Sequence, residues 1–353
     1  MTPSNKPVGI GIIGMGFMGR THTRAYLNAI DDGAVASLIA VCDPDPDRRA
    51  GVASDAGNIG TEDQPERLFD PDQISGYEHA DHLLDDDRVD LVSVCTPTDS
   101  HVDLAVRALE AGKHVLVEKP VATNTSDIER LIDAADRSGR LCVPAMCMRH
   151  WPGWRELRPI IDIGEHGPVR HARFERLGSM PEWGRAFYRD TARSGGAIFD
   201  LHVHDADFVL WLFGRPDAVS SIGDEMHISS QYRFRARPGV ETAGGWLADP
   251  SFPFAMRYII EFERAVLTFD INADPPWTMH AGGEMTHPEV RSGTGYDHQA
   301  SAVIAAANGD SPELPTLHEA LDVTRLIHAE RQSASEGRTI SIDGHQATQG
   351  TEP

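Results

Sequence analysis

The amino-acid sequence predicts an α/β protein with a doubly wound parallel sheet in its first half and an α+β domain in its second. In the first half, strand-like and helix-like stretches alternate with short connections, the pattern of a parallel sheet covered by helices. After Gly214, consecutive β-like runs without intervening helices predict a large, mostly antiparallel open sheet. We therefore expect two domains, residues 1–145 and 146–353, which suits the length of 353 residues.

Composition and charge narrow the class of protein. The formal net charge of −22 argues against nucleic acid and anionic membranes as partners, because contacts with phosphate require clustered Lys and Arg. No apolar run is long enough to cross a bilayer, and the N-terminus lacks the layout of a signal peptide, so we expect a cytoplasmic protein. Four cysteines without a Cys-x-x-Cys pair indicate buried thiols rather than a zinc or dithiol site.

A glycine-rich turn follows the first strand-like run, residues 8–13, and precedes a helix-like stretch over residues 20–30. Residues 14–19 have the Gly-x-Gly-x-x-Gly pattern in the strand–turn–helix context that dinucleotide binding requires. Glycines permit the tight turn and let the backbone approach a pyrophosphate at the helix N-terminus. We therefore predict a Rossmann-type sheet whose cofactor contacts include Gly14, Gly16, Phe17, Met18 and Gly19.

An acidic residue at the end of the second strand, residues 37–42, bears on the choice of cofactor. Asp43 lies at the distance from the glycines where the adenosine ribose is bound. Its carboxylate would accept a hydrogen bond from the 2′-hydroxyl and repel a 2′-phosphate, which favours NAD. A simple turn at Asp43 is the structural alternative, and Arg48 and Arg49 keep NADP possible.

The rest of the first domain is predicted to continue the alternation. The stretch 58–76 lacks periodicity and is predicted to be a surface loop, and Ser100 is a plausible helix N-cap. Ligands bind outside the carboxyl ends of the strands of such sheets, where Thr96 and Lys119 also fall. The predicted elements are strands 89–95, 114–117 and 141–145 and helices 100–111 and 126–138.

The run Glu118-Lys119-Pro120 holds one of only three lysines in the chain. Lysine is a compact donor whose pKa shifts on partial desolvation, whereas Arg stays charged, so Lys119 suits a site that handles protons. A solvated lysine before a turn-forming proline is the structural alternative.

In the second half, residues 194–213 are predicted to form one helix with an apolar stripe, ended by Gly214. Asp200, His204 and Asp207 share a neighbouring stripe, so Asp200 is expected to orient His204 and raise its basicity as a general base. The alternative is a packing role. His202 points elsewhere on such a helix, so no metal site is expected at His202 and His204.

The β-like runs between residues 222 and 269 are predicted to form a sheet with one open face, a plausible interface in a homodimer or homotetramer. Helices are predicted at 296–308 and 317–332, and the first of them is expected to pack back on the first domain. A strand-like tail covers residues 339–342.

These features together resemble the glucose–fructose oxidoreductase/inositol dehydrogenase/MocA family over nearly the whole chain. The motifs that carry the resemblance are the glycine turn at 14–19, Cys95-Thr96-Pro97 with His101, the run 111–120 that includes Glu118-Lys119-Pro120, Ser194-Gly195-Gly196 with Asp200 and His204, and Tyr296. Their conjunction in this order is specific, although no single motif is.

The resemblance implies an NAD(P)-dependent oxidoreductase that acts on a sugar, inositol or related polyol, with a Rossmann domain and an open-sheet domain that forms dimers or tetramers. It implies that Lys119, Asp200 and His204 are the catalytic residues, with Lys119 stabilising alkoxide charge. Cofactor contacts would extend to Thr96, Pro97, His101, Glu118 and Lys119, and the substrate pocket would include Lys119, Arg149, His150, Trp183, Asp200 and His204.

Two other functions stay open at this stage. The same residues would serve an epimerase or eliminase that retains its cofactor and oxidises the substrate transiently. A nucleotide-sensing regulatory protein on this fold is the non-enzymatic alternative. The chain departs from the family pattern in the 58–76 loop and at His202, where many members carry a small residue.

Overall fold

Two β-sheets organise the computed structural model, which describes residues 6–52, 67–182, 184–235 and 239–342. Within these residues a six-stranded parallel sheet is followed by a nine-stranded sheet that is antiparallel except at one strand pair. The predicted fold class is therefore confirmed: α/β, with a doubly wound first sheet and an α+β second half.

The parallel sheet is built from short, buried strands, which is why apolar runs predicted it. Its strands are β1 Val8–Ile13, β2 Ala36–Cys42, β3 Ser75–Tyr77, β4 Leu91–Val94, β5 His114–Val117 and β6 Cys142–Pro144. They lie in the order β3-β2-β1-β4-β5-β6. Their shared direction brings all carboxyl ends to one edge.

The helices that cover this sheet are α1 Phe17–Asp31, α2 Pro46–Arg49, α3 Ala80–Leu84, α4 His101–Glu110 and α5 Thr125–Ser138. Helix α1 begins at Phe17 rather than near residue 20, because Gly16 already occupies the N-cap position. Ser100 precedes α4 as predicted, but its hydroxyl donates to Thr96 and Pro97 and does not cap the helix. Gly139 ends α5 at φ 62°.

The predicted loop over residues 58–76 is only partly a loop. Residues 58–66 lie outside the described residues, whereas β3 begins at Ser75 and pairs with Ala40–Cys42 of β2. This strand was missed because three residues are too few for an alternating pattern, and backbone pairing with β2 supplies its order.

The second sheet follows the order β14-β13-β12-β11-β7-β10-β9-β8-β15. Its strands are β7 Val169–Ser179, β8 Ala218–Gly223, β9 His227–Arg233, β10 Gly239–Leu247, β11 Ala255–Phe262, β12 Ala265–Asp270, β13 Trp277–Ala281, β14 Glu284–Thr286 and β15 Ile340–Ser341. Sequence patterning located β9–β12 and the β15 tail, reached only the last two residues of β8, and missed β7, β13 and β14.

Strand β7 lies near the middle of this sheet, between β10 and β11. It escaped prediction because its 11 residues include several charged side chains, and two of these, Glu175 and Arg176, are buried. Tertiary ion pairs make that burial possible, and such pairs leave no periodic signal in the sequence.

The helices of the second half are α6 Leu157–Ile163, α7 Arg185–Arg189, α8 Thr191–Ser194, α9 Val203–Phe213, α10 Gly295–Ala307 and α11 Leu317–Glu336. The prediction of one helix over residues 194–213 was wrong. Gly195 and Gly196 have φ of 78° and 76°, which ends α8, and Ile198–His202 forms a π-helix before α9. Helices α10 and α11 confirm the two late helices.

Helix α10 returns to the first sheet, as expected. Its buried residues Ala300, Val303 and Ile304 share a hydrophobic core with Val8 and Tyr26 of β1 and α1. Because α10 also carries Tyr296 towards the carboxyl edge of that sheet, this packing brings a residue from late in the chain to the edge where ligands are expected.

Two smaller expectations concern the membrane and the cysteines. Among the described residues no helix combines the length and apolar character needed to span a bilayer. All four cysteines are free; Cys42, Cys95 and Cys147 are buried and Cys142 is half-buried, in line with the predicted buried thiols.

Candidate functional site

A cleft of about 1040 Å³ lies along the carboxyl edge of the parallel sheet and continues to the π-helix of the second half. It brings together residues that are far apart in the chain. Of the predicted site residues, those that line it are Gly14, Gly16, Phe17, Met18, Asp43, Thr96, Pro97, His101, Glu118, Lys119, Asp200 and His204.

The glycine turn forms one end of the cleft, and its three glycines have different roles. Gly14 has φ +90°, a left-handed conformation that favours glycine. A Cβ on Gly16 would meet no atom within 4 Å, so the turn leaves open space in front of the N-terminus of α1. A Cβ on Gly19 would lie 1.8 Å from the Gly14 carbonyl oxygen, so Gly19 permits helix packing and does not line the cleft.

These features fit a dinucleotide. The open space at Gly16 and the main-chain N–H groups of the first turn of α1 are what a pyrophosphate requires. The residues that would hold the group are therefore Gly14 and Gly16 with Phe17 and Met18 beside them.

Asp43 follows β2 and is 4 % exposed at the edge of the cleft. Its Oδ2 accepts the Met15 N–H at 2.8 Å, and its Oδ1 accepts the Asp45 N–H at 2.9 Å. A carboxylate can accept about four hydrogen bonds, so capacity remains for a ribose hydroxyl. Arg48 Nη1 lies 3.9 Å from Oδ2 and is half exposed, and Arg49 Nη1 donates to the Asp43 carbonyl oxygen at 2.7 Å, so both arginines stand beside Asp43.

His101 lines the cleft and contacts the segments that follow two strands. Its Nδ1 lies 2.9 Å from the Pro120 carbonyl oxygen and its Nε2 lies 2.7 Å from the Thr96 carbonyl oxygen. Burial lowers the pKa of His101, while the two carbonyl groups oppose that shift. Thr96 and Pro120 are thereby fixed relative to each other, which places Lys119 opposite the end of β4.

Glu118 is buried and accepts hydrogen bonds from two directions. His22 Nε2 on α1 lies 2.8 Å from its Oε1, and the Lys119 N–H donates to its Oε2 at 3.0 Å. Burial alone disfavours the carboxylate, but the His22 contact leaves the pKa of Glu118 below its usual value. Burial also disfavours imidazolium, yet contacts with Cys95 and Glu118 raise the pKa of His22 to about 10. The contact between His22 and Glu118 therefore links α1 to Lys119.

Lys119 is bonded to Asp200 across the cleft. Its Nζ donates to the Asp200 carbonyl oxygen at 2.7 Å and to Oδ1 at 3.1 Å. The two side chains are only 13 % and 16 % exposed, so water screens this pair weakly. An ammonium group has three donors, which leaves Lys119 one N–H for a ligand.

His204 stands near Lys119 at the start of α9 and is 9 % exposed. Its Nδ1 is buried and has no hydrogen-bond partner among the residues that the structure describes. Burial, and then the positive charges of Lys119 and Arg176, hold the pKa of His204 well below its usual value. The imidazole is therefore neutral at pH 7, and the same shift makes it a weaker base than an exposed histidine.

The expected pairing of Asp200 with His204 was wrong in this structure. The carboxylate of Asp200 engages Lys119, and no described hydrogen bond joins it to His204. The expectation that Asp200 raises the basicity of His204 fails with it, since the shift is downward. The cause is the π-helix over Ile198–His202, which changes the rotation between the two residues from that of an α-helix.

Arg149 and His150 were expected to line the substrate pocket, and the structure places both outside the cleft. Arg149 is 5 % exposed and makes a two-point contact with Asp207 and a further bond with Glu319 at 2.6 Å. It joins α9 to α11 and has no role at the cleft surface. His150 is buried beside it, and Trp183 lies outside the described residues.

His202 also points away from the cleft, as predicted. It is fully buried with its Nε2 2.7 Å from Glu330 Oε2 of α11, and Tyr232 donates to the other oxygen of that carboxylate. Burial opposes the charged form, but Glu330 raises the pKa of His202. This cluster fastens the π-helix to α11.

Sequence reasoning missed several residues of the cleft. Arg176 of β7 lines it and binds the buried Asp205 through Nε and Nη2 at 3.3 and 2.9 Å. Trp151 lines it too and contacts the Tyr296 ring at 5.6 Å. Tyr296 had been noted in its motif, but no local pattern marked Arg176 or Trp151. The described residues also contain no group of three or more metal-ligating side chains.

Comparisons with family models cover both halves of the chain. The model of the GFO/IDH/MocA oxidoreductase family with an NAD-binding Rossmann fold matches residues 8–146. The model of the GFO/IDH/MocA C-terminal domain matches residues 154–247.

Two curated relatives show what the chain is similar to. An uncharacterized oxidoreductase, ORF334, of Rhizobium meliloti is 36% identical over 151 residues, 42% of this chain and 44% of the relative. The inositol 2-dehydrogenase of Salmonella typhimurium is 30% identical over 205 residues, 57% of this chain and 53% of the relative. The chain thus spans about half the length of the curated relatives it matches.

Solved structures share the whole fold at low identity. A levoglucosan dehydrogenase in complex with NADH and levoglucosan has a TM-score of 0.80 at 18% identity, covering 96% of this chain and 100% of that one. An aldose–aldose oxidoreductase from Caulobacter crescentus, in complex with glycerol, has a TM-score of 0.77 at 22% identity with the same coverage of 96% and 100%. At these identities the likeness shows the fold alone.

Proposed function

The chain belongs to the GFO/IDH/MocA oxidoreductase family, and on this premise we propose that it is an NAD-dependent dehydrogenase of a sugar, inositol or related polyol. Hydride would move between the nicotinamide and a carbon that carries a hydroxyl or carbonyl oxygen. The observation that supports this most is the pairing of Lys119 with Asp200 beside the neutral His204, in the cleft that also contains the glycine turn.

The mechanism assigns one task to each side chain. His204 accepts the proton of the substrate hydroxyl at Nε2, because Nδ1 is buried within the protein. Lys119 donates its remaining N–H to the same oxygen and stabilises the negative charge that develops there. Asp200 holds the ammonium group in place. NAD, held at Gly14, Gly16, Phe17 and Met18, would supply the acceptor for the hydride of the carbon that carries this oxygen.

NAD is the proposed cofactor because the Asp43 carboxylate would stand beside the adenosine ribose. Its two oxygens are held by the Met15 and Asp45 N–H groups, so the carboxylate cannot turn away from a 2′-phosphate. Arg48 is the one described cation 3.9 Å from this carboxylate, and it favours NADP only if it leaves Asp43.

Self-association through the open face of the second sheet is part of the same proposal. Ile259 of β11 is 52 % exposed and Ile222 of β8 is 75 % exposed, and a second copy packed on this face would cover both. The molar mass from light scattering would be twice or four times 38.6 kDa. A monomer at micromolar concentration would remove this part of the proposal.

The deciding experiment is NADH formation by the purified protein on a panel of inositols, aldoses, sugar acids, polyols and glycosides, with NADP assayed in parallel. Lys119→Ala and His204→Ala should each lower kcat by about 10² to 10³, the effect of one stabilising donor or base. NADH affinity, followed by nucleotide fluorescence, should stay near that of the unmodified protein.

The matched control is Arg130→Ala, which removes an exposed ion pair with Asp103 outside the cleft. Its kcat should equal that of the unmodified protein. Near-full turnover in both cleft variants would overturn the catalytic assignment. Stoichiometric NADH binding without turnover on any compound would favour a nucleotide-sensing protein.

A further inference from the structure

We propose that the substrate is a glycoside, in which a sugar ring presents one hydroxyl to Lys119 and His204 and carries an aromatic or long alkyl substituent. This inference rests on the proposed dehydrogenase function and names the class of compound within it. It follows from which side chains of the substrate half of the cleft still have hydrogen-bonding capacity, and from which side chains are apolar.

The polar groups of this half are largely engaged with the protein itself. Arg176 spends its Nε and Nη2 on the buried carboxylate of Asp205. Ser194 Oγ lies 3.1 Å from the Asp190 carbonyl oxygen, to which it donates, and accepts the Gly196 N–H at 3.2 Å. Ser194 therefore has no proton left for a sugar hydroxyl, whereas the described hydrogen bonds of Arg176 leave its Nη1 N–H groups unused.

The remaining capacity is concentrated beside the reacting oxygen. Lys119 at the end of β5 is bonded to Asp200 of the π-helix. His204 at the start of α9 lies close enough for the Lys119 charge to lower its pKa. Arg176 lines the same half, and its charge acts on His204, so its remaining N–H groups belong to the same part of the cleft. The Tyr296 hydroxyl, which also lines this half, contacts Cys147.

Apolar side chains make up most of the rest of this lining, and they come from four separate segments. Two belong to the turn after β6, two to the beginning of β11 and its approach, one to α7 and one to the π-helix. They are Met148, Trp151, Phe254, Met256, Phe187 and Leu201.

The energetic balance disfavours a compound that is polar on all sides. A sugar hydroxyl that is buried without a partner weakens binding, whereas burial of apolar surface strengthens it. A glycoside exchanges its anomeric hydroxyl for a substituent that can lie against the apolar side chains, whereas a free hexose or an inositol has a hydroxyl at that position.

The position of the substituent follows from Leu201, which comes directly after Asp200 on the π-helix. Leu201 forms a small hydrophobic cluster with Trp246, against which Tyr188 and Phe254 pack, and the rings of Tyr188 and Trp246 are 5.5 Å apart. A ring that reacts at Lys119 would therefore direct its substituent towards this cluster.

The test compares matched glycosides with NAD as acceptor. We would measure kcat/KM for phenyl and methyl β-glucosides, galactosides, mannosides and xylosides, together with the free sugars and myo-inositol. In at least one sugar series the phenyl glycoside should exceed the methyl glycoside about tenfold or more, with the free sugar lowest. Free sugars or inositol that match or exceed the phenyl glycosides would overturn the inference and leave the dehydrogenase intact.

Variants of two apolar lining residues test where the substituent of the glycoside binds. Phe254→Ala and Phe187→Ala should each lower the phenyl-to-methyl ratio of kcat/KM, and the use of two positions covers the case that one variant fails to fold. Ile163→Ala, at a residue 76 % exposed and outside the cleft lining, should keep the ratio. An unchanged ratio in both Phe254→Ala and Phe187→Ala would contradict the assigned position.

A binding measurement separates this inference from the proposed function. Calorimetric titration of phenyl and methyl glycosides into the protein saturated with NADH requires no turnover. Tighter binding of the phenyl compound without any NADH formation would support the ligand class and refute the dehydrogenase. Equal binding of the two compounds, or binding of neither, would refute the glycoside class.

Discussion

Asp200 and His204 are four residues apart in the chain, yet their surroundings differ. The carboxylate of Asp200 lies on Lys119, whereas the His204 imidazole is kept neutral by burial and by two nearby cations. A neutral imidazole beside an ammonium group is a combination that can take a proton from a hydroxyl while the resulting charge is stabilised. The chemistry of the site therefore depends on where single side chains point.

Cofactor choice also depends on one residue. Asp43→Asn removes the negative charge that opposes a 2′-phosphate, and the new amide oxygen can still accept the Met15 N–H. We expect the ratio of kcat/KM for NAD to that for NADP to fall about tenfold or more, because juxtaposed like charges cost several kcal/mol. Steady-state kinetics with both nucleotides measures this ratio.

Asp45→Asn is the matched control for that substitution. Asp45 is the exposed N-cap of α2 and does not line the cleft, and asparagine caps a helix as well as aspartate. Its cofactor ratio should equal that of the unmodified protein. A ratio that stays constant in Asp43→Asn as well would show that Asp43 does not select the cofactor.

Among the elements, the π-helix over Ile198–His202 has the largest effect on the site. It directs Asp200 to the cleft on one side and His202 to Glu330 of α11 on the other. The buried His202–Glu330 contact holds the element, since both residues are fully shielded from solvent. A regular α-helix over these residues would have placed Asp200 one turn before His204, as the apolar periodicity had predicted.

The glycine turn permits a test at the level of one element. Gly19→Ala would place a Cβ 1.8 Å from the Gly14 carbonyl oxygen, so the turn and α1 cannot keep their packing. Gly16→Ala meets no atom within 4 Å and fills only the space proposed for the pyrophosphate. We expect a lower melting temperature for Gly19→Ala alone and a loss of NADH affinity for both variants.

The two readouts are thermal unfolding and nucleotide fluorescence. An unchanged melting temperature in Gly19→Ala would show that the close approach of α1 to the turn is dispensable. Normal NADH affinity in Gly16→Ala would place the pyrophosphate elsewhere, since a methyl group in the proposed position must displace it.

For the whole molecule, buried histidines with opposite pKa shifts give opposite dependences of stability on pH. Contacts with Cys95 and Glu118 raise the pKa of His22 to about 10 against the effect of burial, so its contribution is complete below about 6.5 and is lost as pH rises towards 10. Burial lowers the pKa of His150 to about 3, helped by the charges of Arg155 and Arg149. Protons then favour the unfolded chain as pH falls from about 6.5 towards 3.

His150→Gln tests the second dependence. Between pH 7 and pH 5 the free energy of unfolding should fall by about 2 kcal/mol less in this variant than in the unmodified protein, because each pKa unit of difference is worth about 1.4 kcal/mol. Urea titration at both pH values measures the difference. His22→Gln should show the opposite dependence on pH. Its free energy of unfolding should lie furthest below that of the unmodified protein near pH 6, and the difference should be smaller near pH 9.

If the difference in free energy of unfolding between variant and unmodified protein does not change with pH for either substitution, each imidazole has the same protonation state in the folded and in the unfolded chain. The two variants control for each other, because their predicted pH dependences have opposite signs. A general effect of glutamine at a buried position would change the free energy of unfolding in the same way in both.

Much of this protein could be predicted from the sequence by itself. The glycine turn, the alternation of strands and helices, the position of Lys119 at a strand end and the β-rich second half are local patterns, and their physics acts between residues close in the chain. They were sufficient for the fold class and for most of the cleft residues on the first sheet.

Only the tertiary structure decided the rest. Arg149 joins α9 to α11 instead of lining the cleft, Arg176 reaches the cleft from a strand that the sequence did not reveal, and Asp200 meets Lys119 from 81 residues away. Each of these outcomes depends on a contact between distant segments, and burial makes that contact strong by excluding water. No periodicity records such contacts, because the energy belongs to the pair and not to either stretch of chain.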